Sequence, residues 1–240
     1  YDYNRGCCDN ICYSGVADIF RLPKFSLSFF RTQIAEGSML PSGKMPYEVF
    51  IPAYRDEILS DTVMVYGNVD EVELVLNGKT IRRQTADKGP DSDYISVPNG
   101  GNGKNLHFPP FTFYGVPKER GVLKAVGYHQ GKKVAEYTVK TPGVPERLDI
   151  TYFESGKPAT KNDLLIVYVR MLDKQGVLCP VNGIPVELSV QGGEIVGPTS
   201  YPLEAGVASF LVRTGEISKI NINATGKGFS TRKSLKVGKE

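Results

Sequence analysis

The residues able to do chemistry in this 240-residue chain are four cysteines, two histidines and a few closely spaced carboxylates. Cys7, Cys8 and Cys12 lie close together, and Cys179 stands apart. Their C-C-x3-C spacing is not a C-x2-C pair, and His107 and His129 are remote in sequence, which argues against a zinc site. Cys179 has no evident mate, so the thiols are expected to behave as small buried hydrophobes. Acyl transfer needs a nucleophile on a sharp elbow, and Tyr13-Ser14-Gly15 lacks the G-x-S-x-G pattern. His129 falls at an expected hairpin tip, a solvated position. His107 precedes Phe108-Pro109-Pro110 and is expected to pack or cap locally.

Glycoside hydrolysis needs two carboxylates flanking a bond on a rigid frame. Glu71 and Glu73 share one face of an expected strand, and a solvated sheet face accounts for them. Asp87, Asp91 and Asp93 share a loop, but the bidentate Glu that completes a calcium loop is missing at the usual spacing. The stretch Asn99-Gly100-Gly101-Asn102-Gly103-Lys104 is no phosphate cradle. Asn105 follows Lys104 where Ser or Thr is needed, and Pro109-Pro110 forbids the helix. No cofactor motif, catalytic pair or metal cluster emerges.

The elements around these residues are mostly strands. Gly (26) and Pro (16) are abundant, which favours many turns. No run approaches the ~20 apolar residues of a membrane span. A net charge of +3 is too balanced for binding nucleic acid through phosphate attraction. Val63–Tyr66 and Val72–Leu76 read as strands, and Asn77-Gly78 predicts a tight turn into Lys79–Ile81. Leu123–Tyr128, a turn at Gln130-Gly131, and Val134–Val139 form a second hairpin. Thr141-Pro142-Gly143-Val144-Pro145 reads as a stiff linker. Beyond it, Leu164–Leu172, Val186–Val190, Val207–Val212 and Ile220–Ala224 read as strands of an antiparallel sandwich of about 95 residues. Near the start, Pro23 fits a first helical position, and the spacing of Phe25 with Phe29 and Phe30 with Ile34 predicts a helix ending near Gly37. Such a helix needs a packing partner. The chain opens at Tyr1 without a charged-then-apolar leader and reads as an excerpt of a longer protein.

The opening motif DYNRG-x2-DNICYSGVADIFRLPKFS-x2-FFR resembles the end of the catalytic (β/α)8 barrel of glycoside hydrolase family 2, in the β-galactosidase-like branch common in gut Bacteroidetes. VYGNVDEVELVLNGKTI and GVLKAVGYHQGKKVAE resemble the β-sandwich that follows that barrel. LLIVYVRMLDKQGVLCPVNGIPVELSVQGGEIVG and EAGVASFLVRTG resemble bacterial Ig-like, invasin-type modules. The resemblance implies a mainly β chain of two antiparallel Ig-like sandwiches in tandem. A loop-helix remnant of the barrel would occupy 1–40, the first sandwich 41–141 and the Ig-like sandwich 146–240.

In that family two catalytic Glu lie on earlier barrel strands, and no position here matches either, so no catalytic role is assigned. The last barrel loop lies at the face where barrel active sites are built. Asp2, Asn4 and Asp9 would line the sugar site in the full enzyme, or would cap and brace their loop. The resemblance implies the enzyme's own barrel as partner, a homo-oligomer, and a periplasmic or secreted location. Three functions remain in view: a non-catalytic accessory region of a retaining glycosidase, a carbohydrate-binding module pair, and an adhesin-like structural spacer. The second would use Tyr54, Tyr94 or Tyr114 to stack on sugar rings, and the absence of Trp weighs against it.

Overall fold

The computed structural model describes residues 1–4, 11–53, 60–87, 106–153 and 158–238. The chain divides into two compact units, Tyr1–Thr141 and Pro142–Glu240. Residues 1–40 and 41–141 therefore belong to the same unit. The described residues are mainly strand with one helix, and every strand pair is antiparallel.

The first unit opens with a two-stranded ladder, β1 (Tyr3–Asn4) against β2 (Ile11–Cys12). Helix α1 (Phe25–Thr32) follows, then the short pair β3 (Met39–Leu40) and β4 (Gly43–Lys44). The sandwich itself consists of β5 (Val49–Phe50), β6 (Val63–Gly67), β7 (Glu71–Leu76), β8 (Lys79–Thr85), β9 (Phe111–Phe113), β10 (Val122–His129) and β11 (Lys132–Lys140). One sheet has the order β11-β10-β7-β8 and the other β5-β6-β9. Strand β7 alternates half-buried and buried residues, so Val72, Leu74 and Leu76 point inward. They meet Val65, Phe111, Leu123 and Ala125 in a sealed core. Burying each large apolar side chain contributes about 1.5–3 kcal/mol.

Both expected hairpins are present. Asn77 (φ 50°) and Gly78 (φ 81°) form the turn between β7 and β8, and Gln130 (φ 49°) and Gly131 (φ 75°) form the one between β10 and β11. Two successive positive φ values match the right-handed twist of the flanking strands. Asn77 does more than turn the chain. Its side chain accepts from the Val122 N–H at 2.8 Å and donates to the Arg120 carbonyl at 3.1 Å, so it also pins β10 against β7.

The helix differs from its sequence reading at both ends. It starts at Phe25, two residues after Pro23, which sits in an extended bridge with Ala17. Lys24 is also extended, and its N–H is engaged by the Val16 carbonyl at 3.0 Å. The helix stops at Thr32, short of Gly37. Gln33 leaves helical geometry, and its side-chain amide pairs with both backbone groups of Phe108 at 3.0 and 3.1 Å. Gly37 (φ 78°) turns the chain toward β3 instead.

The second unit contains β12 (Arg147–Tyr152), β13 (Leu164–Leu172), β14 (Pro185–Gln191), β15 (Gly193–Ile195), β16 (Ser200–Pro202), β17 (Val207–Thr214), β18 (Lys219–Gly226) and β19 (Phe229–Lys236). Its sheets run β12-β13-β17-β15 and β16-β14-β18-β19. Val167, Val169, Met171, Val186, Phe210, Val212 and Ile222 fill the space between them. Strands β12, β15, β16 and β19 add to the four expected from sequence. The turn between β18 and β19 is again two residues with positive φ, Lys227 and Gly228.

Candidate functional site

The loop ahead of α1 is organised by Asp2, which is almost wholly buried. Its Oδ1 accepts from the Gly15 N–H at 2.9 Å and from Lys24 Nζ at 2.7 Å. Its own N–H donates to the Ala17 carbonyl at 2.8 Å. Lys24 Nζ also donates to the Tyr13 carbonyl at 2.9 Å. Gly15 is forced by contact, since a side chain there would collide with the backbone of Tyr1 and Asp2. The Lys24 hydrogen bond lowers the Asp2 pKa, burial opposes it, and the Gly15 N–H adds to the lowering. Asp2 is therefore an ionised clamp at neutral pH. Of the other two residues expected at a sugar site, Asn4 pairs by backbone with Ile11, and Asp9 lies outside the described residues.

Helix α1 is mounted on the first sandwich by its aromatic side chains and its C-terminal end. Phe25 meets Phe50 edge-on at 5.6 Å, and Phe29 meets Tyr66 at 5.0 Å. Phe30 contacts Phe29 but remains 55% exposed. The Arg31 guanidinium forms a salt bridge with both Glu48 oxygens. Asn68, 3% exposed, is the keystone that the sequence reading missed. Its Oδ1 accepts from the Glu48 N–H at 2.6 Å, and its Nδ2 donates to the carbonyls of Ile34 and Pro46, both at 3.0 Å.

The chemically able residues elsewhere are engaged in structure. Glu71 pairs with Arg83 at 2.5 Å. Glu73 accepts from the hydroxyls of Thr80 at 2.6 Å and Tyr128 at 2.7 Å, and Arg83 lies 3.7 Å over the Tyr128 ring. These hydroxyl donors lower the Glu73 pKa, the opposite of what a general acid requires. His129 Nδ1 lies 3.1 Å from Asp70 Oδ1, and its ring stacks on Tyr47. His107 packs edge-on against Phe108. Asp87 accepts from the N–H and hydroxyl of Thr112. Asp91 and Asp93 lie outside the described residues, as do Cys7, Cys8, Tyr54 and Tyr94. Tyr114 is described and is 40% exposed.

In the second unit, Asp173 is buried beside the linker. Its Oδ2 accepts from the Gly143 N–H at 2.7 Å, and its Oδ1 from those of Gln175 at 2.9 Å and Val177 at 2.8 Å. Burial would raise its pKa, but the N–H groups of Gly143, Val177, Gln175 and Gly176 outweigh it and hold the pKa below the usual carboxylate range. Cys179 lies close by, and burial and the Asp173 charge push its thiol pKa up. It is a buried free thiol, and its raised pKa favours the protonated form. Among the described residues no His/Cys/Asp/Glu group could hold a metal ion, and no helix is long and apolar enough to cross a membrane.

Comparison with known proteins gives this geometry its context. Residues 60–135 match a family model described as a domain of unknown function, DUF4982. The chain is 33% identical over 230 residues to a β-galactosidase of Thermoanaerobacter pseudethanolicus, which covers 89% of this chain and 29% of that protein. It is 30% identical over 129 residues to a β-galactosidase of Rhizobium radiobacter, covering 53% of this chain and 92% of that one. In fold it is similar to a glycosyl hydrolase family 2 member from Bacteroides cellulosilyticus. The TM-score is 0.70 at 19% identity, over 93% of this chain and 32% of that one. The chain thus spans less than a third of the length of the Thermoanaerobacter enzyme.

Proposed function

Because the chain belongs to the β-galactosidase-like members of glycoside hydrolase family 2, we propose that it is a non-catalytic accessory region of a retaining glycosidase. Its sandwiches brace a (β/α)8 catalytic barrel and shape substrate access or the assembly of enzyme copies. The loop that Asp2 clamps, with Asn4 and Asp9, lies at the rim of the sugar site in this reading. The enzyme works in the periplasm or outside the cell.

The observation that supports this best is the one-sided mounting of α1. One side is fixed to the sandwich through Phe25, Phe29 and Arg31, while Phe30 is left open. A helix held in that way is suited to join a sandwich to a second body. The described carboxylates favour the same reading, since Glu71 and Glu73 are both engaged by donors within their own sheet.

Two measurements test the proposal. The 240-residue chain is expected to give no turnover of nitrophenyl β-galactoside above a buffer blank, and turnover above that blank would overturn it. In the full-length enzyme, Asn68→Ala is expected to lower the temperature of thermal inactivation with KM unchanged. An unchanged inactivation temperature would remove the bracing role.

A further inference from the structure

The outer face of the β14-β18-β19 sheet is polar and carries several cations. Its inner residues, among them Val186, Leu188, Ile220 and Ile222, are buried. Strand alternation sends their neighbours outward. Two successive rungs across the three strands are Ser189–Asn223–Arg232 and Gln191–Asn221–Ser234. The Ser234 hydroxyl donates to Asn221 Oδ1 at 2.7 Å, so the face is a lattice of amides and hydroxyls.

Cations are set into this lattice. Lys219 stands directly opposite Lys236, and both are exposed. Like charges in register across a strand pair destabilise a sheet. Arg232 lies on the same strand four residues before Lys236, about 13 Å away at strand spacing. Lys227 sits in the turn that ends the face. None of these four cations forms an ion pair among the described residues. In the first unit Arg83, Lys124 and Lys133 each face a carboxylate of the same sheet, while Lys79, Arg82 and Lys132 form no ion pair among the described residues. What sets the second unit's face apart is therefore the in-register pair Lys219–Lys236. The next rung of the face, Glu187–Thr225–Ser230, brings in one carboxylate and, with Lys227 and Phe229, lines an open depression of about 470 Å³.

We infer that this face is a docking surface for an anionic polysaccharide, one that carries carboxylates on successive sugars. The cations would take the carboxylates and relieve the Lys219–Lys236 repulsion. The amides and hydroxyls would bond the sugar hydroxyls. The exposed rungs carry no apolar side chain to enter a membrane, which disfavours lipid as the occupant. The chain's net charge of +3 is too balanced for binding nucleic acid through phosphate attraction. The inference does not depend on the accessory-region reading, because the surface belongs to the second unit alone.

The test is affinity electrophoresis of the 240-residue chain through gels containing polygalacturonate, with dextran as the neutral control, at about 50 mM salt. Retardation is expected in polygalacturonate only. The triple variant K219S/R232S/K236S is expected to bind at least about tenfold more weakly. A charge-matched variant of the first unit, K79S/R82S/K132S, is expected to bind like the parent. Amide shifts of the unmodified chain titrated with oligogalacturonate are expected in β18 and β19. Absence of retardation, a triple variant that binds like the parent, or amide shifts confined to other strands would overturn the proposal. Equally tight binding of duplex DNA or phosphatidylserine vesicles would overturn the choice of polysaccharide.

Discussion

Asn68 in the first unit and Asp173 in the second do the same mechanical job with different chemistry. Each is buried, and each gathers backbone groups from segments distant in sequence. Asn68 is a neutral amide that both donates and accepts, so it joins the Ile34 carbonyl beyond the helix and the Pro46 carbonyl to the Glu48 N–H. Asp173 only accepts, and it collects N–H groups from its own turn and from the linker. The difference teaches that a neutral keystone is indifferent to acid, whereas a carboxylate keystone couples one unit's stability to pH.

The largest expected effect comes from emptying the carboxylate position. Asp173→Ala leaves the N–H groups of Gly143, Gln175 and Val177 without their acceptor and is expected to cost about 3 kcal/mol. Calorimetry should show the loss in the transition of the second unit, and a change below about 0.5 kcal/mol would break the comparison. Asn68→Ala is expected to cost about 2 kcal/mol. It should also speed proteolytic release of residues 1–40, and cleavage at the parent rate would contradict its keystone role.

Acid sharpens the contrast. The folded pKa of Asp173 lies below its unfolded value, so its stabilisation is complete above the unfolded pKa, about 4. It is lost as pH falls from there through the folded pKa. Below pH ~4 the parent should therefore lose stability more steeply than Asp173→Asn, whereas Asn68→Ala should follow the parent's slope. Coincident slopes for parent and Asp173→Asn in urea titrations would remove the carboxylate from the account. The smallest effect belongs to the exposed face of the first unit. Arg83→Ala removes a half-exposed pair with Glu71 and should shift stability by no more than about 1 kcal/mol, read as a small change in melting temperature.

The two hairpin turns were legible because Asn77-Gly78 and Gln130-Gly131 fall between alternating apolar runs. The Lys227-Gly228 turn has the same backbone, but Lys has no intrinsic leaning to positive φ and gave little signal. Strand β19 alternates in burial, yet six of its eight residues are Ser, Thr or charged, with Thr231 and Lys233 at half-buried positions, which masks an apolar alternation. The helix boundaries were misread because contacts remote in sequence set them: Asp2 holds Lys24, and Phe108 takes up Gln33. Asn68 and Asp173 were hidden for a related reason. Each sits in a stretch of turn-forming residues, and burial is conferred by segments 20 to 34 residues away. The family resemblance carried the reading of the opening loop further than periodicity did.

The arrangement of the first sandwich has a consequence for the order in which it forms. Its larger sheet is two tight hairpins joined edge to edge, β7-β8 and β10-β11, each closed by a two-residue turn. Such local closures take microseconds. The smaller sheet needs β6 to find β9 across a long stretch of chain, a search that loop entropy slows. The hairpin sheet should therefore exist first, with Val72, Leu74 and Leu123 exposed on one side. Arrival of Phe111 and Phe113 would be the event that seals it. In a growing polypeptide that interval is when this unit is most vulnerable to aggregation, well before any part of the second sandwich has been made.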